Sequence, residues 1–556
     1  MKKEYSILVG GAAGLGSRAA GLIIGELFVN RGYYVFIYDD YQSLIKGGHS
    51  FSKIRVSEKK VLSHKDEIDF LLALDNETIE KHLKELKKDG IIIYDKSNIS
   101  LKKENAYGVN LEEIIKKAKG EELMKNVGLV AFFAKTIGIE WQLVEKIIKE
   151  KFKKSKDLNI KVAKIAFGTG KKLLKIKKIK NKSISLLTGN QAIALGALKG
   201  GLDLYLAYPM TPSTGILHFL AKNKEKFKIK VFQLENEVGI INAALGASYA
   251  GARTMIGTSG GGFALMTEGL SAACQSETPV VIVESQRMSP GSGVPTYQGQ
   301  GDLLFTLGAG HGDIIRFVIA PSDAEESAYW AGKALNLAWK FQTPTILLID
   351  KEISESTFSF NKKILNKIKK EKPLLWRKKS GYLRYKITKN GISPLAFPGD
   401  KKVIVKSNSY EHNEFGITVE ESEKVEKMQE KRLRKFEEMK KEVDKLPAVN
   451  IFGEKKSKKA IICWGSTKGP AKEAAEKLKI KMIQIIVLEP FPEKQIKKAL
   501  KGVKEVILVE TNGLGQLGRI LNCWKIKVDK KILKYNGRPF TSEEIVEKIS
   551  KKIARI

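Results

Sequence analysis

The chain has 556 residues, 43% hydrophobic and 29% charged, which suits a globular protein of roughly three or four domains. No apolar run approaches the ~20 residues of a membrane span, and Met1-Lys2-Lys3-Glu4-Tyr5 does not open a secretory leader, so a cytoplasmic location is expected. The formal net charge of +36 would suit nucleic acid, but the lysines fall in mixed runs such as Lys81–Lys88 and Glu421–Lys445 that read as solvated helix faces; neither nucleic acid nor membrane is expected as a partner.

The chain opens as strand, turn and helix: apolar Ser6–Val9, then Gly10-Gly11-Ala12-Ala13-Gly14-Leu15-Gly16, then a small-residue helix Ser17–Val29. A strand at Tyr33–Tyr38 ends in Asp39-Asp40. Gly14-x-Gly16-x-x-Ala19 with an acid about 20 residues on is close to a dinucleotide fingerprint. Its physics is general, because glycines admit a phosphate to the backbone and a helix N-terminus favours the anion. A structural tight turn gives the same pattern. A second glycine loop, Lys46-Gly47-Gly48-His49-Ser50-Phe51, leads into a strand at Ser52–Val56. Ile68–Ala73 and Gly90–Tyr94 read as buried strands with a charged helix, Glu77–Lys88, between them. Val127–Glu140 reads as a strand or a helix entry, and lysine-dense Lys151–Lys182 as a tail or linker closing a first domain at about residue 180.

The second domain, 183–360, starts at Leu186-Leu187-Thr188-Gly189-Asn190 with a helix Gln191–Lys199. A short strand ending at Ala207 runs into Tyr208-Pro209-Met210-Thr211-Pro212-Ser213-Thr214. The prolines hold Met210 and Thr211 in a stiff non-helical loop, and Ser213 and Thr214 are candidate caps for a helix over Gly215–Ala221. Next come a strand Lys228–Leu234 ending in Glu235-Asn236-Glu237, an Ala/Gly helix Val238–Gly251 and a strand Thr254–Thr258 before Ser259-Gly260-Gly261-Gly262-Phe263. A helix over Ala264–Cys274 and a strand over Pro279–Glu284 lead to Gln286-Arg287, and Pro344–Asp350 adds a strand. This alternation implies a parallel sheet with helices on both faces and ligand-binding loops at the strands' carboxyl ends. Thr211, Glu237 and the Ser259–Gly262 loop would share that edge.

Residues 361–456 form a charged connecting region with a long helix near Val419–Lys445. A smaller α/β unit, 457–556, has strands Lys459–Trp464, Met482–Val487 and Glu505–Glu510, and a helix-opening turn Thr511–Gly518.

The three cysteines, Cys274, Cys463 and Cys523, are far apart with no Cys-x-x-Cys, so neither a zinc ribbon nor a cysteine-held iron–sulfur cluster is expected in this chain. His49, His311 and His412 lack partners at metal-ligand spacing, and no metal site is expected. A buried carboxylate at a strand end beside glycine loops suits thiamine diphosphate, whose aminopyrimidine ring needs a Glu that holds or shares a proton in an apolar setting. Glu237 fits and Glu235 competes; a helix-capping role would place a Glu there equally well. Arg287 can clamp a carboxylate, and Thr211 can bond a carbonyl or carboxylate oxygen. The Gly-Asp-Gly…Asn loop that holds the diphosphate and Mg²⁺ is missing, since Gly301-Asp302-Leu303 and Gly399-Asp400-Lys401 do not fit, so that half is expected on another chain.

Together these residues resemble the alpha subunits of 2-oxoacid:ferredoxin oxidoreductases with a gamma domain fused in front, over nearly the whole chain. The motifs are Tyr208–Ser213, Glu235–Gly239 with Gly246-Ala247-Ser248-Tyr249-Ala250-Gly251, and Thr258–Phe263. Gln286-Arg287 with Pro290–Thr296, Gln300-Gly301-Asp302-Leu303-Leu304, His311-Gly312-Asp313, and in front Gly10–Gly16 and Gly47-Gly48-His49-Ser50 complete them. The resemblance implies an α/β chain of gamma-type domain, pyrimidine-binding domain and transketolase C-terminal-like domain. Glu237 would activate thiamine, with Ser259, Gly260, Gly261 and Phe263 beside it. Thr211 and Arg287 would bind the 2-oxoacid, flanked by Tyr208, Pro209 and Ser292. Gly11, Gly14 and Gly16 would meet coenzyme A or another phosphate-bearing ligand. A beta subunit would bring Mg²⁺ and a [4Fe-4S] cluster into a heterotetramer of two fused and two beta chains, and ferredoxin would take the electrons. Among the acids, 2-oxoglutarate is favoured. Pro290-Gly291-Ser292-Gly293 stands where many relatives read Pro-Ser-Thr-Gly, and Met288 where a small residue is commoner. An NAD-linked dehydrogenase built on the first domain and a non-catalytic assembly subunit are the alternative readings.

Overall fold

Short apolar runs bounded by glycine and charge become strands in the computed structural model, which describes residues 3–42, 47–180, 184–377, 381–401 and 403–551. Lys46 of the second glycine loop and the join at 181–183 lie outside the described residues. The chain divides into two compact units: one holds the chain up to Leu187 with Ser356–Lys362 and Thr541–Glu544, the other holds the remainder.

The first unit is built on a mixed sheet of β1 (Glu4–Ala12), β2 (Tyr34–Asp40), β3 (His49–Ser57), β4 (Ile68–Ala73), β5 (Leu86–Asp95), β6 (Ala106–Val109), β7 (Ser185–Thr188) and β14 (Thr357–Phe360), in the order β6-β5-β4-β1-β3-β2-β14-β7. β4, buried at every residue, is apolar apart from Asp69, which accepts from Ser6 N at 2.8 Å, because both faces of the sheet are covered. The dinucleotide fold of the alternative reading needs β1 and β2 adjacent and parallel. Instead β3 lies antiparallel between them, pairing Ala12 with His49 on one side and Asp40 with Phe51 on the other. Gly21 lets the helix Ser17–Val29 lie on β3, since a Cβ there would come 2.8 Å from the Ser52 Cβ.

Two other expectations change in this unit, and one left open between strand and helix is decided for helix. The charged helix stops at His82, and β5 begins at Leu86, paired with Ile68. Residues near 127–140 form the buried helix Lys125–Thr136, followed by the helix Trp141–Lys151. The presumed linker contains the helix Lys156–Thr169, whose Val162, Ala163 and Ala166 join the core. Its lysine density had masked a narrow apolar stripe.

In the second unit, β8 (Leu204–Ala207), β9 (Lys230–Gln233), β10 (Thr254–Thr258), β11 (Val280–Gln286), β12 (Phe317–Ile319) and β13 (Pro344–Asp350) form the expected parallel sheet in the order β12-β13-β11-β10-β8-β9. β15 (Val449–Gly453), β16 (Lys459–Cys463), β17 (Lys481–Ile485), β19 (Glu505–Glu510) and β20 (Lys530–Leu533) form a second sheet, ordered β15-β17-β16-β19-β20. The run Met482–Val487, read as one strand, divides. Its first part is β17; its end enters β18 (Val487–Glu489), which pairs antiparallel with β12 of the other sheet. The expected helix over Ala264–Cys274 is two, Gly260–Leu265 and Thr267–Gln275, separated at Met266.

The connecting helix Ser422–Lys445 carries exposed i,i+3 and i,i+4 pairs such as Lys424–Glu421 and Lys427–Glu423. It is not solvated all round, because Lys431 and Lys435 are fully buried on the Glu277 carboxylate. Burial alone would raise the Glu277 carboxyl, but Lys431, Lys435 and Arg384 outweigh it and hold it well below its usual range. Burial brings the Lys431 ammonium down to about 7 against the pull of Glu277. Among the described residues no helix is long and apolar enough to cross a membrane.

Candidate functional site

The carboxyl ends of β8, β10 and β11 bring three loops together. The Tyr208–Ser213 loop is pinned from below: Asn190 Nδ2 donates to the Pro212 carbonyl at 2.8 Å, and Ser213 Oγ donates to the Met210 carbonyl at 2.8 Å. Ser213 thus stabilises the turn and does not cap the helix Thr214–Lys222, which has no side-chain cap. Arg287, just past β11, donates from Nη1 to the Thr211 carbonyl at 2.8 Å. The two residues are joined, through the main chain of Thr211.

Glu237 begins the helix Glu237–Tyr249, capped by Asn236, whose side chain accepts from Gly239 N at 2.8 Å. Glu235 is exposed, whereas Glu237 is only 4% exposed, which decides between the two. Glu237 Oε1 is buried and has no hydrogen-bond partner among the described residues. A buried polar atom without a partner is costly, so such an atom marks a place for a ligand. The carboxylate reaches this position because residue 262 is glycine: a Cβ there would lie 2.1 Å from Thr258 Oγ1 and 2.6 Å from Glu237 Oε1.

A cavity of about 550 Å³ opens beside this point, lined by Ser259, Gly260, Gly261, Arg287, Met288–Gly291, Gly301 and Asp302. Its remaining wall is the turn Thr511–Leu514 with Gln516 and Tyr535. Gln300 fastens the two walls: its main-chain N donates to the Thr511 carbonyl at 2.9 Å, and its Oε1 accepts from Thr511 N at 3.0 Å. Asn512 Nδ2 also donates to the Gln300 carbonyl at 3.1 Å.

Two acids lie under the cavity. Burial raises the Asp302 carboxyl to about 6, with Ser289 and Arg287 pulling the other way. Glu284 is fully buried, accepts from Thr306 Oγ1 at 2.5 Å, and is pushed well above the usual carboxylate range by burial and by Asp302. The pair therefore holds a proton near neutral pH. Asp302 packs on Gly260, where a Cβ would lie 2.5 Å from Asp302 Oδ2.

Of the residues expected from sequence, Arg287, Ser259, Gly260 and Gly261 line the cavity, and Glu237 lies behind it against Gly262. Thr211 is tied to Arg287 but, like half-buried Pro209, lies outside the lining, and Tyr208 is 39% exposed. Ser292 is exposed and off the cavity, which Gly291 lines in its stead. Phe263 is fully buried and packs edge-on against Phe305, 5.4 Å between centroids, so it supports the loop from inside. In the first unit, Gly11 is buried in β1, and Gly14 (φ +99°) is exposed with nothing near its Cβ position. Gly16 (φ +80°) is close against Asn126, where a Cβ would lie 2.0 Å from Nδ2, which is a packing reason for glycine. Asp302 and the 511–516 turn with Tyr535 were not expected in the site. Gln300-Gly301-Asp302 was the available signal for the first; nothing local pointed to Tyr535.

The donor set fits the ring end of thiamine diphosphate on one observation, the buried and unpartnered Glu237 Oε1 beside a glycine floor.

The chain is similar to known proteins over nearly its whole length. Residues 195–431 match the family model described as pyruvate flavodoxin/ferredoxin oxidoreductase, thiamine diP-bdg. Residues 6–169 match pyruvate ferredoxin/flavodoxin oxidoreductase, and 457–545 match pyruvate:ferredoxin oxidoreductase core domain II. The 2-oxoacid:ferredoxin oxidoreductase subunit alpha of Saccharolobus solfataricus is 34% identical, over 98% of this chain and 97% of that protein. The 2-oxoglutarate synthase subunit KorA of Methanocaldococcus jannaschii is 33% identical over 60% of this chain and 90% of its own length. The solved 2-oxoglutarate:ferredoxin oxidoreductase from Magnetococcus marinus, with 2-oxoglutarate, coenzyme A and succinyl-CoA bound, is similar with a TM-score of 0.90 and 29% identity over 99% of each chain.

Proposed function

We propose the following for a chain that belongs to the alpha subunits of the 2-oxoacid:ferredoxin oxidoreductases: with a beta subunit it oxidatively decarboxylates a 2-oxoacid to acyl-coenzyme A and CO₂, passing the electron pair to ferredoxin. The solved relative holds 2-oxoglutarate, coenzyme A and succinyl-CoA, and on that support 2-oxoglutarate is the favoured acid. In this reading the gamma-type part spans 1–180, the pyrimidine-binding part 183–360, the connecting region 361–456 and the transketolase-like part 457–556. The diphosphate, Mg²⁺ and a [4Fe-4S] cluster belong to the beta subunit, because this chain has no Gly-Asp-Gly loop and no cysteine cluster. A cytoplasmic heterotetramer of two chains of each kind completes the proposal.

The observation that carries it is the buried, unpartnered Glu237 Oε1. When bound, thiamine diphosphate supplies an electron sink for the bond to the departing CO₂. Glu237 would offer the aminopyrimidine ring its buried Oε1, which has no hydrogen-bond partner among the described residues. Arg287, already anchored on Thr211, turns its remaining N–H groups to the oxoacid carboxylate. The dehydrogenase alternative loses its basis, since β3 separates β1 from β2.

Glu237→Gln tests the proposal in the assembled complex. Turnover should fall by at least about 10²-fold, with circular dichroism and co-purification of the beta subunit unchanged. Near-normal turnover would exclude Glu237 from the chemistry and favour a chain that only assembles its partner.

A further inference from the structure

The glycine loops of the first unit leave a second set of chemistry-bearing side chains that the oxoacid site does not use. His49, at the start of β3, and His82, at the end of the helix Asn76–His82, are each 5% exposed, with their Nε2 atoms 2.9 Å apart. His82 Nδ1 lies 2.9 Å from Glu85 Oε1, and Glu85 is paired with Lys53 at 2.7 Å. An ionised carboxylate only accepts, so a neutral His82 carries its proton on Nδ1 and presents a lone pair at Nε2. His49 must then donate from Nε2, which leaves its Nδ1 as a bare lone pair. That atom is buried and has no hydrogen-bond partner.

A ring nitrogen of His49 and carboxylate oxygens of Asp75 and Glu77 all lie within 4.8 Å of one another. We propose that His49, Asp75 and Glu77 bind a divalent first-row transition cation of the zinc class. One imidazole and two carboxylates are a recognised donor set for such ions. The Glu85–His82 relay does what outer hydrogen bonds do at metal sites, fixing the tautomer and ring orientation of the ligand. Two features of the surroundings agree. Gly10 gives the imidazole room: a Cβ there would lie 3.1 Å from His49 Cε1 and 2.8 Å from Thr78 Cγ2. Asp75 is held by its caps to Thr78 N and Thr78 Oγ1, at 2.9 and 2.6 Å. The competing partner is Lys81, 2.6 Å from Glu77 Oε1 with both side chains over 40% exposed. Such an exposed pair is weakly held, and a divalent ion displaces it. The half-exposed carboxylates leave a coordination position open to water.

This inference does not rest on the oxoacid reading. The full chain, stripped with a chelator, is titrated with Co²⁺ and with Zn²⁺ by calorimetry, with the visible bands of Co²⁺ recorded in parallel. Saturable binding is expected, with cobalt bands that zinc bleaches and a thermal midpoint that zinc raises. Glu77→Gln and Asp75→Asn, the latter keeping an oxygen for the Thr78 cap, should each weaken binding by about tenfold or more with unchanged circular dichroism. Absence of saturable binding to the wild-type chain, or binding unchanged in both variants, would overturn the proposal.

Discussion

Gly262→Ala puts the active-site reading to a quantitative test. The new methyl would lie 2.1 Å from Thr258 Oγ1 and 2.6 Å from Glu237 Oε1, against an ordinary carbon–oxygen contact of about 3.3 Å. Thr258 ends a buried strand and yields little, so the Glu237 carboxylate moves, by about 0.7 Å or more on that contact distance. Overpacking of this size costs about 1–3 kcal/mol, and alanine recovers up to ~1 kcal/mol over glycine within the helix Gly260–Leu265. The fold therefore survives, while a displaced catalytic group costs about 10²-fold in rate. The assay is dye reduction by the assembled complex at saturating oxoacid and coenzyme A, beside thermal unfolding of the same samples. Gly261→Ala is the folding control, because nothing lies within 4 Å of its Cβ position; its thermal midpoint should not fall. If Gly262→Ala turned over at the wild-type rate, Glu237 would not need the position it occupies, and the assignment would fail.

Arg287→Lys keeps the charge but loses the fork; the apparent KM for the oxoacid should rise about tenfold, the scale of a lost charge-assisted hydrogen bond of ~1.5 kcal/mol, with little change for coenzyme A. Equal effects on both would remove Arg287 from the carboxylate clamp. Asp302, flanked by Glu284, Arg287 and Ser289, has its folded-state pKa raised to about 6 by burial. Its contribution to stability is thus complete below its unfolded value near 4 and is lost as pH rises through 6. Asp302→Asn should remove that slope from the urea midpoint between about pH 4 and 6; an unaltered slope would show that Asp302 does not carry the proton. Glu277→Gln leaves Lys431 and Lys435 buried without their counter-charge and should destabilise the chain by about 3–5 kcal/mol. A loss under ~1 kcal/mol, typical of exposed pairs, would show that the lysines neutralise or escape to water.

What the amino-acid order revealed, and what it hid, follows from the range of the forces involved. Thr254–Thr258, Pro344–Asp350 and Glu505–Glu510 were legible to the residue as strands, because local apolar runs and their breakers set them. The gathering of Arg287 and Ser259–Gly261 around one cavity was legible, since parallel topology gathers strand ends at one edge. The burial of Glu237 beside the void that Gly262 leaves was not, because it depends on contacts distant in sequence. The insertion of β3 between β1 and β2 was hidden as well: pairing partners are long-range, and a parallel and an antiparallel neighbour can carry the same apolar run. The buried lysines at 431 and 435 looked like their solvated neighbours, since Glu277 lies far back in the chain. His49 and His82 are 33 positions apart, outside any motif spacing.

The double exchange between Gln300 and Thr511, with Asn512 on the Gln300 carbonyl, makes the 511–516 turn one wall of the cavity and not a pendant loop. A polypeptide ending at 456 would forfeit β18 from the edge of the larger sheet and leave Asp302 on an unsecured loop. If the cavity receives the oxoacid as proposed, drift in the 511–516 turn or at Tyr535, both in its lining, can change acid preference with the glycine floor and the arginine untouched.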